Sequence, residues 1–390
     1  MERSEIGVGL VGYKFMGRAH SNAYRQVASF FDVEPVPKMA AICGRDEAGV
    51  REAAETLGWD SYETDYRKLV SRDDIGLVDI VTPGNTHREI VLTALEAGKH
   101  VLCEKPLANT LSEAKEMLTA ARNAGTVNMV CFNYRRAPAV QLAKKLVEEG
   151  RLGEIRHWRA TYLQDFIMDP SFPLIWRLDK EVSGSGALGD IGAHIIDLAH
   201  FVVGPISEVT GMTETFVKER PLEEASAGGG LSASGGTETG EVTVDDAAAF
   251  LARFENGAVG TFEATRFAAG RRNQNSFEVN GSKGSVAFDL ERMNELEVFF
   301  TEDEADVQGF RTVNVTEPDH PYTGAWWPPG HILGYEHTFI HTMKDLIDGI
   351  KVGKSPAPTF EDGYRCQAVL AAVEQSAASG EWTTPETEGI

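Results

Sequence analysis

The sequence predicts two domains. The first is an α/β domain with a doubly wound parallel sheet; the second is an α+β domain on a large, mostly antiparallel sheet. Three observations carry this. The chain has 390 residues, more than one hydrophobic core usually organises. Its first third alternates short apolar runs with helical patterns. From residue 134 onward, strand-like runs follow one another with few helices between. The domains are therefore drawn as 1–133 and 134–390.

Taken in order, residues 6–11 read as a strand and 17–30 as a helix. Strand 39–43 and helix 46–57 follow, then strand 78–82, helix 89–97, strand 100–103, helix 111–124 and strand 127–132. Apolar strands separated by helices fit a parallel sheet covered on both faces. Beyond that, 138–149 is a helix stopped by Gly150, 155–162 is an alternating strand, and 189–201 is a helix. Segments 206–217, 245–254, 257–267, 275–280 and 284–288 read as antiparallel strands, with Asn256-Gly257 as a hairpin turn between two of them. Residues 225–240, rich in Gly, Ser, Thr and Ala, read as a flexible surface insertion. Segment 301–330 has little periodicity, and helices 337–350 and 366–379 close the chain.

Composition excludes several classes of function. The net charge is −22, and the longest basic clusters are pairs such as Arg135-Arg136, so nucleic acid is not an expected partner. No apolar run approaches the roughly 20 residues that span a bilayer, and the N-terminus runs into a strand without a signal-peptide core. Cys43, Cys103, Cys131 and Cys366 show neither metal-ligand spacing nor a disulfide framework. A cytoplasmic protein with reduced thiols and no metal is expected.

The first strand ends in Gly12-Tyr13-Lys14-Phe15-Met16-Gly17 and a helix follows. Such a turn aims backbone N–H groups and a helix N-terminus at a pyrophosphate. Gly7-Val8-Gly9-Leu10-Val11-Gly12 matches G-x-G-x-x-G by letter but lies inside the strand. The working fingerprint is therefore Gly12 to Gly17, with Lys14 at the middle glycine's place. The second strand ends Cys43-Gly44-Arg45-Asp46, with Gly44 where an acid would hold the adenosine ribose. Arg45 could then accept a 2′-phosphate or stack on adenine, and Asp46 could reach the ribose. Either NAD or NADP is allowed.

Three further segments gather chemistry. The third strand ends in Thr82-Pro83-Gly84-Asn85-Thr86-His87, and the fourth ends in Glu104-Lys105-Pro106. The second-domain helix opens with Gly189-Asp190-Ile191-Gly192-Ala193-His194. Asp190 and His194 stand four residues apart and share a helical face, and Asp197 lies three beyond His194.

In this combination and order, nearly the whole chain resembles the Gfo/Idh/MocA family of sugar oxidoreductases. Segments 132–136, 161–165 and 184–190 look most like its branch of levoglucosan and glycoside 3-dehydrogenases. The resemblance implies that Lys105, Asp190 and His194 are catalytic. It also implies a Rossmann domain whose cofactor meets Gly12 to Met16, Gly44, Arg45, Thr82, Pro83, Asn85, His87, Glu104, Lys105 and Asn133. The implied reaction takes a hydride from a secondary alcohol, at C3 of a levoglucosan-like sugar, to nicotinamide. Either His194 or Lys105 takes the proton. A sugar pocket needs bidentate hydrogen bonders and an apolar platform. Tyr134, Arg135, Gln164, Asp165, Trp176, Arg177 and His337 are the candidates, with Lys105, Asp190 and His194. An inositol or polyol dehydrogenase of the same family, or a non-catalytic regulator, is the alternative. The open sheet of the second domain needs cover on its second face, which points to a homodimer or homotetramer.

Overall fold

The computed structural model describes residues 4–223 and 235–387. The chain divides into two compact units, Met1–Ala137 with Tyr322–Tyr364, and Pro138–Pro321 with Arg365–Ile390. The sequence boundary near 133 lies close to the first crossing, but the return of 322–364 to the first unit was not foreseen. Its reason is apolar: Phe339, Ile340, Met343, Leu346 and Ile347 are buried in one core with Val8, Leu10, Tyr24 and Val27.

In the first unit the order is β1 (Glu5–Val11), α1 (Phe15–Phe30), β2 (Val36–Cys43), α2 (Glu47–Leu57), β3 (Tyr62–Glu63), α3 (Tyr66–Val70), β4 (Leu77–Ile80), α4 (His87–Glu96), β5 (His100–Cys103), α5 (Leu111–Ala124) and β6 (Asn128–Val130). The six strands lie in the order β3-β2-β1-β4-β5-β6, every pair parallel. The order reverses between β1 and β4, which opens a crevice at their carboxyl ends. β3 and α3 escape a periodicity reading because two and five residues are too few to show a period.

The second unit adds α6 (Pro138–Glu148), β7 (Ile155–Leu163), α7 (Lys180–Ser183), α8 (Ala193–Val202), β8 (Ile206–Glu214), β9 (Glu219–Glu223), β10 (Gly235–Glu241), β11 (Ala247–Phe254), β12 (Val259–Thr265), β13 (Gln274–Gly281), β14 (Gly284–Asp289), β15 (Glu295–Phe300) and β16 (Arg311–Asn314). Eight strands form one sheet, β16-β15-β14-β13-β7-β12-β11-β8, antiparallel except where β7 meets β12. One face buries Trp158, Ala160, Tyr162, Phe250 and Phe262. Gly257, at φ +88°, makes the turn between β11 and β12.

Part of the insertion expected at 225–240 is ordered: 235–240 belong to β10, paired with β9. The remainder lies outside the described residues. β16 falls in the segment read as aperiodic, and β15 precedes it; both are held by ladder partners rather than by composition. α9 (Tyr335–Val352) folds with the first unit, and α10 (Phe360–Ser379) carries the chain from the first unit into the second. Among the described residues, no helix is long and apolar enough to cross a membrane.

Candidate active site

The first unit brings the phosphate turn to the crevice. Gly12 sits at φ +112°, and a Cβ there would lie 2.8 Å from Val81 Cγ2. A Cβ on Gly17 would lie 2.6 Å from the Gly12 carbonyl oxygen. Both glycines are therefore required by close backbone approach. Lys14 precedes α1, with Nζ 5.1 Å from the Tyr13 ring centroid. Met16 packs into the core, whereas Phe15 is exposed and stacks on Tyr335 at 6.5 Å. A cradle that only glycine fits, at a helix N-terminus and at the sheet's switch point, suits a dinucleotide pyrophosphate.

The Tyr13 ring fills the place of the missing acid. A Cβ on Gly44 would meet Tyr13 Cε1 at 2.3 Å. Arg45 is exposed. Asp46 caps α2, its Oδ2 accepting the Gly49 N–H at 3.1 Å, which engages one of the two oxygens proposed for the ribose.

The loop after β4 is internally braced. Thr86 Oγ1 donates to Pro83 O at 2.8 Å and lies 2.7 Å from the Thr82 hydroxyl. Asn85, in the same turn, is exposed. His87, grouped with the cofactor binders by sequence, is instead buried. Its Nε2 lies 2.8 Å from Thr82 O, and its Nδ1 lies 3.1 Å from Pro106 O. The ring ties this loop to the Lys105 loop. Glu104 is turned inward too, its Oε2 accepting the Lys105 backbone N–H at 3.1 Å.

Three more side chains have structural work in the first unit. Asn133 donates to Thr338 Oγ1 at 2.8 Å. Arg135 is buried and pairs with Asp362 at 3.1 Å. His337 accepts the Gly334 N–H on Nδ1 at 3.0 Å, capping α9, with Trp326 edge-on at 4.5 Å. Tyr134 is buried, its ring 6.3 Å from Tyr335.

The second unit holds the helix motif. The chain enters α8 through a π-turn, Leu188–Gly192, where the sequence predicts plain helix. Buried Asp245 shapes this entry by accepting Gly186 N–H at 2.7 Å and Leu188 N–H at 2.8 Å. Burial raises its pKa and those two donors oppose the rise. A π-turn in a helix often marks a functional site.

Asp190 Oδ2 accepts from Arg266 Nη2 at 2.8 Å and lies 3.9 Å from Arg177 Nε. The Arg177 guanidinium sits 4.3 Å from the Trp176 ring centroid; burial lowers its pKa and Asp190 opposes that. Ile175 and Leu178 are buried in a small separate cluster with Ile167, Val242 and Val244, which leaves Trp176 in between 37% exposed. The indole therefore lies outside that core.

His194 is buried, with the Tyr162 ring 5.8 Å away. Tyr162 O–H and Gln164 Nε2 both donate to Asn273 Oδ1, at 2.8 and 2.9 Å. Asp165, expected at the sugar, instead holds a turn: it accepts from Gly270 N–H at 3.0 Å and Arg272 at 3.1 Å.

The sequence reading missed Arg266, Asp245 and Asn273, which carry no motif. It also missed His20 and Asp79, bonded at 2.8 Å. Here a signal existed, since Asp79 is the one acid in the apolar run Leu77-Val78-Asp79-Ile80-Val81.

A glycine-cradled crevice on a parallel sheet, with a separate unit bearing an acid–imidazole helix, defines a dinucleotide-dependent oxidoreductase of two domains. Residues 6–132 match the oxidoreductase family with an NAD-binding Rossmann fold, and residues 140–287 match the GFO/IDH/MocA C-terminal domain. The chain is 46% identical over 380 residues, 97% of each chain, to levoglucosan dehydrogenase of Pseudarthrobacter phenanthrenivorans. It is similar to the structure of that activity's enzyme with NADH and levoglucosan, at 44% identity, 98% and 99% coverage and a TM-score of 0.93. An oxidoreductase domain protein from Kribbella flavida matches at 55% identity, the same coverage and a TM-score of 0.93. The protein belongs to the Gfo/Idh/MocA family of NAD-binding oxidoreductases.

Proposed function

We propose that this protein is an NAD-dependent dehydrogenase that oxidises a secondary hydroxyl of an anhydrosugar or glycoside, at C3 of a levoglucosan-like substrate. The observation that carries it is the 46% identity to levoglucosan dehydrogenase across 97% of both chains. NADP remains an alternative cofactor on the strength of Gly44-Arg45.

When bound, the nicotinamide accepts a hydride from the carbinol carbon. The chain's own residues do the rest. Gly12 to Met16 and the loop 82–85 hold the cofactor. Lys105 hydrogen-bonds the reacting oxygen and stabilises its developing charge. His194 takes the hydroxyl proton as the general base. Asp190, aimed by Arg266, orients a neighbouring hydroxyl, and Trp176 offers a ring face to the sugar. Cys43, Cys103, Cys131 and Cys366 are buried and none is in a disulfide, which suits a reducing cytoplasm.

The test is NADH formation at 340 nm across levoglucosan, glycosides, monosaccharides and inositols, with both cofactors. Levoglucosan with NAD should turn over best. Failure of every sugar with either cofactor overturns the proposal, and inositol as best substrate moves the activity to polyols. Lys105→Ala should lower kcat about 100-fold or more while NADH affinity, read by fluorescence, changes little; near-normal turnover removes Lys105 from the reaction.

A further inference from the structure

Beneath the Lys105 loop lies a buried charge cluster with no role in the reaction described so far. His20 on α1 and Asp79 on β4 are 0% exposed, and Glu104 at the end of β5 is 6% exposed. His20 Nδ1 lies 2.8 Å from Asp79 Oδ2, and Nε2 lies 3.1 Å from Glu104 Oε1. A carboxylate oxygen only accepts, so each ring nitrogen must donate, and only the doubly protonated ring has two N–H groups. Tyr24 O–H also donates to Asp79 Oδ2, at 3.0 Å. The far oxygen of Glu104 accepts the Lys105 backbone N–H at 3.1 Å. One carboxylate thus joins the imidazolium directly to the backbone of Lys105.

We propose that His20 is a positioning residue for Lys105: clamped between Asp79 and Glu104, it fixes the Glu104 carboxylate and, through it, the place and charge balance of the lysine. This rests on the reading of Lys105 as catalytic. The other titratable groups around the ring are neutral partners. Burial pushes Cys131, 3.6 Å from Nε2, up to about 12. Burial likewise raises Cys103 on β5, Tyr24 on α1 and Tyr335 on α9. Phe339 of α9 covers the ring at 5.3 Å. Burial opposes the His20 charge, but Asp79 leads the interactions that hold its pKa well above the ordinary value. Burial also raises Glu104, and the His20 ring followed by the Lys105 charge bring it below the ordinary value.

The cluster therefore balances two carboxylates against His20 and Lys105. Removing the imidazolium leaves a buried carboxylate without its cation, which is costly and frees Glu104 to turn or to take a proton. His20, Glu104 and Cys131 lie close enough to suggest a metal site, with ligand atoms within 4.8 Å. The proton that Nε2 gives to Glu104 occupies the lone pair a metal would need.

The experiment compares wild type, His20→Gln, Glu104→Gln, Lys105→Met and His20→Gln/Lys105→Met on levoglucosan and NAD. Displacement of a reacting group costs about 10- to 100-fold, so His20→Gln and Glu104→Gln should lower kcat by that factor. NADH affinity by fluorescence and the far-UV circular dichroism should stay at wild-type values. The distinguishing readout is the double variant, its residual rate followed as NADH accumulation over hours. If His20 acts through Lys105, adding His20→Gln to Lys105→Met costs less than about twofold. Two full losses that multiply, or a His20→Gln kcat within twofold of wild type, overturn the proposal. Should His20→Gln not fold, Glu104→Gln and its double with Lys105→Met decide by the same criteria. Normal turnover by Lys105→Met alone defeats the reading of the lysine instead, a result visible before any His20 variant is compared.

Discussion

At position 44 the chain has no space for the acid that dinucleotide folds place at the end of their second strand. A Cβ there would stand 2.3 Å from Tyr13 Cε1, so Tyr13 and Gly44 form one unit of packing. Restoring the acid alone should therefore harm the enzyme. Gly44→Asp is expected to raise KM for NAD about tenfold by expelling the ring, and Tyr13→Ala/Gly44→Asp should recover NAD while rejecting NADP. Measured KM values for both cofactors check this; an improved NAD KM in the single variant would falsify it. The sequence showed the missing acid but not what replaced it, because the replacement comes from a residue 31 positions earlier. Similarly, Lys105, Asp190 and His194 were legible as motif letters. The partners Arg266, Asp245 and His20 were not, since each acts through a contact between distant strands. The sequence puts His87, Asn133, Arg135, Asp165 and His337 among the ligand contacts; what it does not show is that each also holds a contact inside its own unit.

At the scale of elements, α9 shows how a helix outside its expected domain sets a pH limit. His341 on α9 is buried; its Nε2 accepts the Trp326 indole N–H at 2.8 Å, and its Nδ1 donates to Arg136 O at 3.0 Å. Tyr322 stacks on the ring at 4.3 Å. Burial is the main force that lowers its pKa to about 3. The unfolded chain protonates this residue near pH 6.5, whereas the folded chain refuses the proton. The stability it contributes is therefore complete above 6.5 and is lost as pH falls from 6.5 toward 3. Between pH 6.5 and 5 the loss amounts to about 2 kcal/mol. Urea unfolding at pH 7 and pH 5 should show this loss in wild type and a slope smaller by that amount in His341→Gln. Equal pH slopes for the two proteins would contradict the assignment. The amphipathic pattern of α9 was legible as a helix over 337–350, two residues short at each end. Its allegiance was not, because periodicity marks an apolar face without naming what covers it. The short β3 and α3, and the ladder-held β9, β10, β15 and β16, lay below what local pattern can reveal.

For the whole molecule, the eight-stranded sheet sets the next requirement. Its inner face is covered, while its outer face carries Met212 at 60%, Leu251 at 49% and Val259 at 46% exposure. The register places Met212 against Ala249 and Leu251 against Thr210, so the apolar side chains of β8 and β11 form one strip. Arg159 with Glu278 on neighbouring strands and Glu263 on β12 give it a polar border. An apolar strip with a charged rim, on a sheet too broad to be left bare, fits a second copy of the same chain. The net charge of −22 opposes that association. A self-associating form must therefore gain enough from apolar contact to overcome repulsion, and added salt should strengthen it by screening. Light scattering at micromolar concentration should return a dimer or tetramer for wild type. Met212→Asp/Leu251→Asp should be monomeric with its folded circular dichroism retained, because both changes lie on a solvent-facing strip and leave the inner core untouched. A wild-type monomer at every salt concentration, or an unchanged oligomer in the double variant, would place the subunit contact elsewhere or remove it.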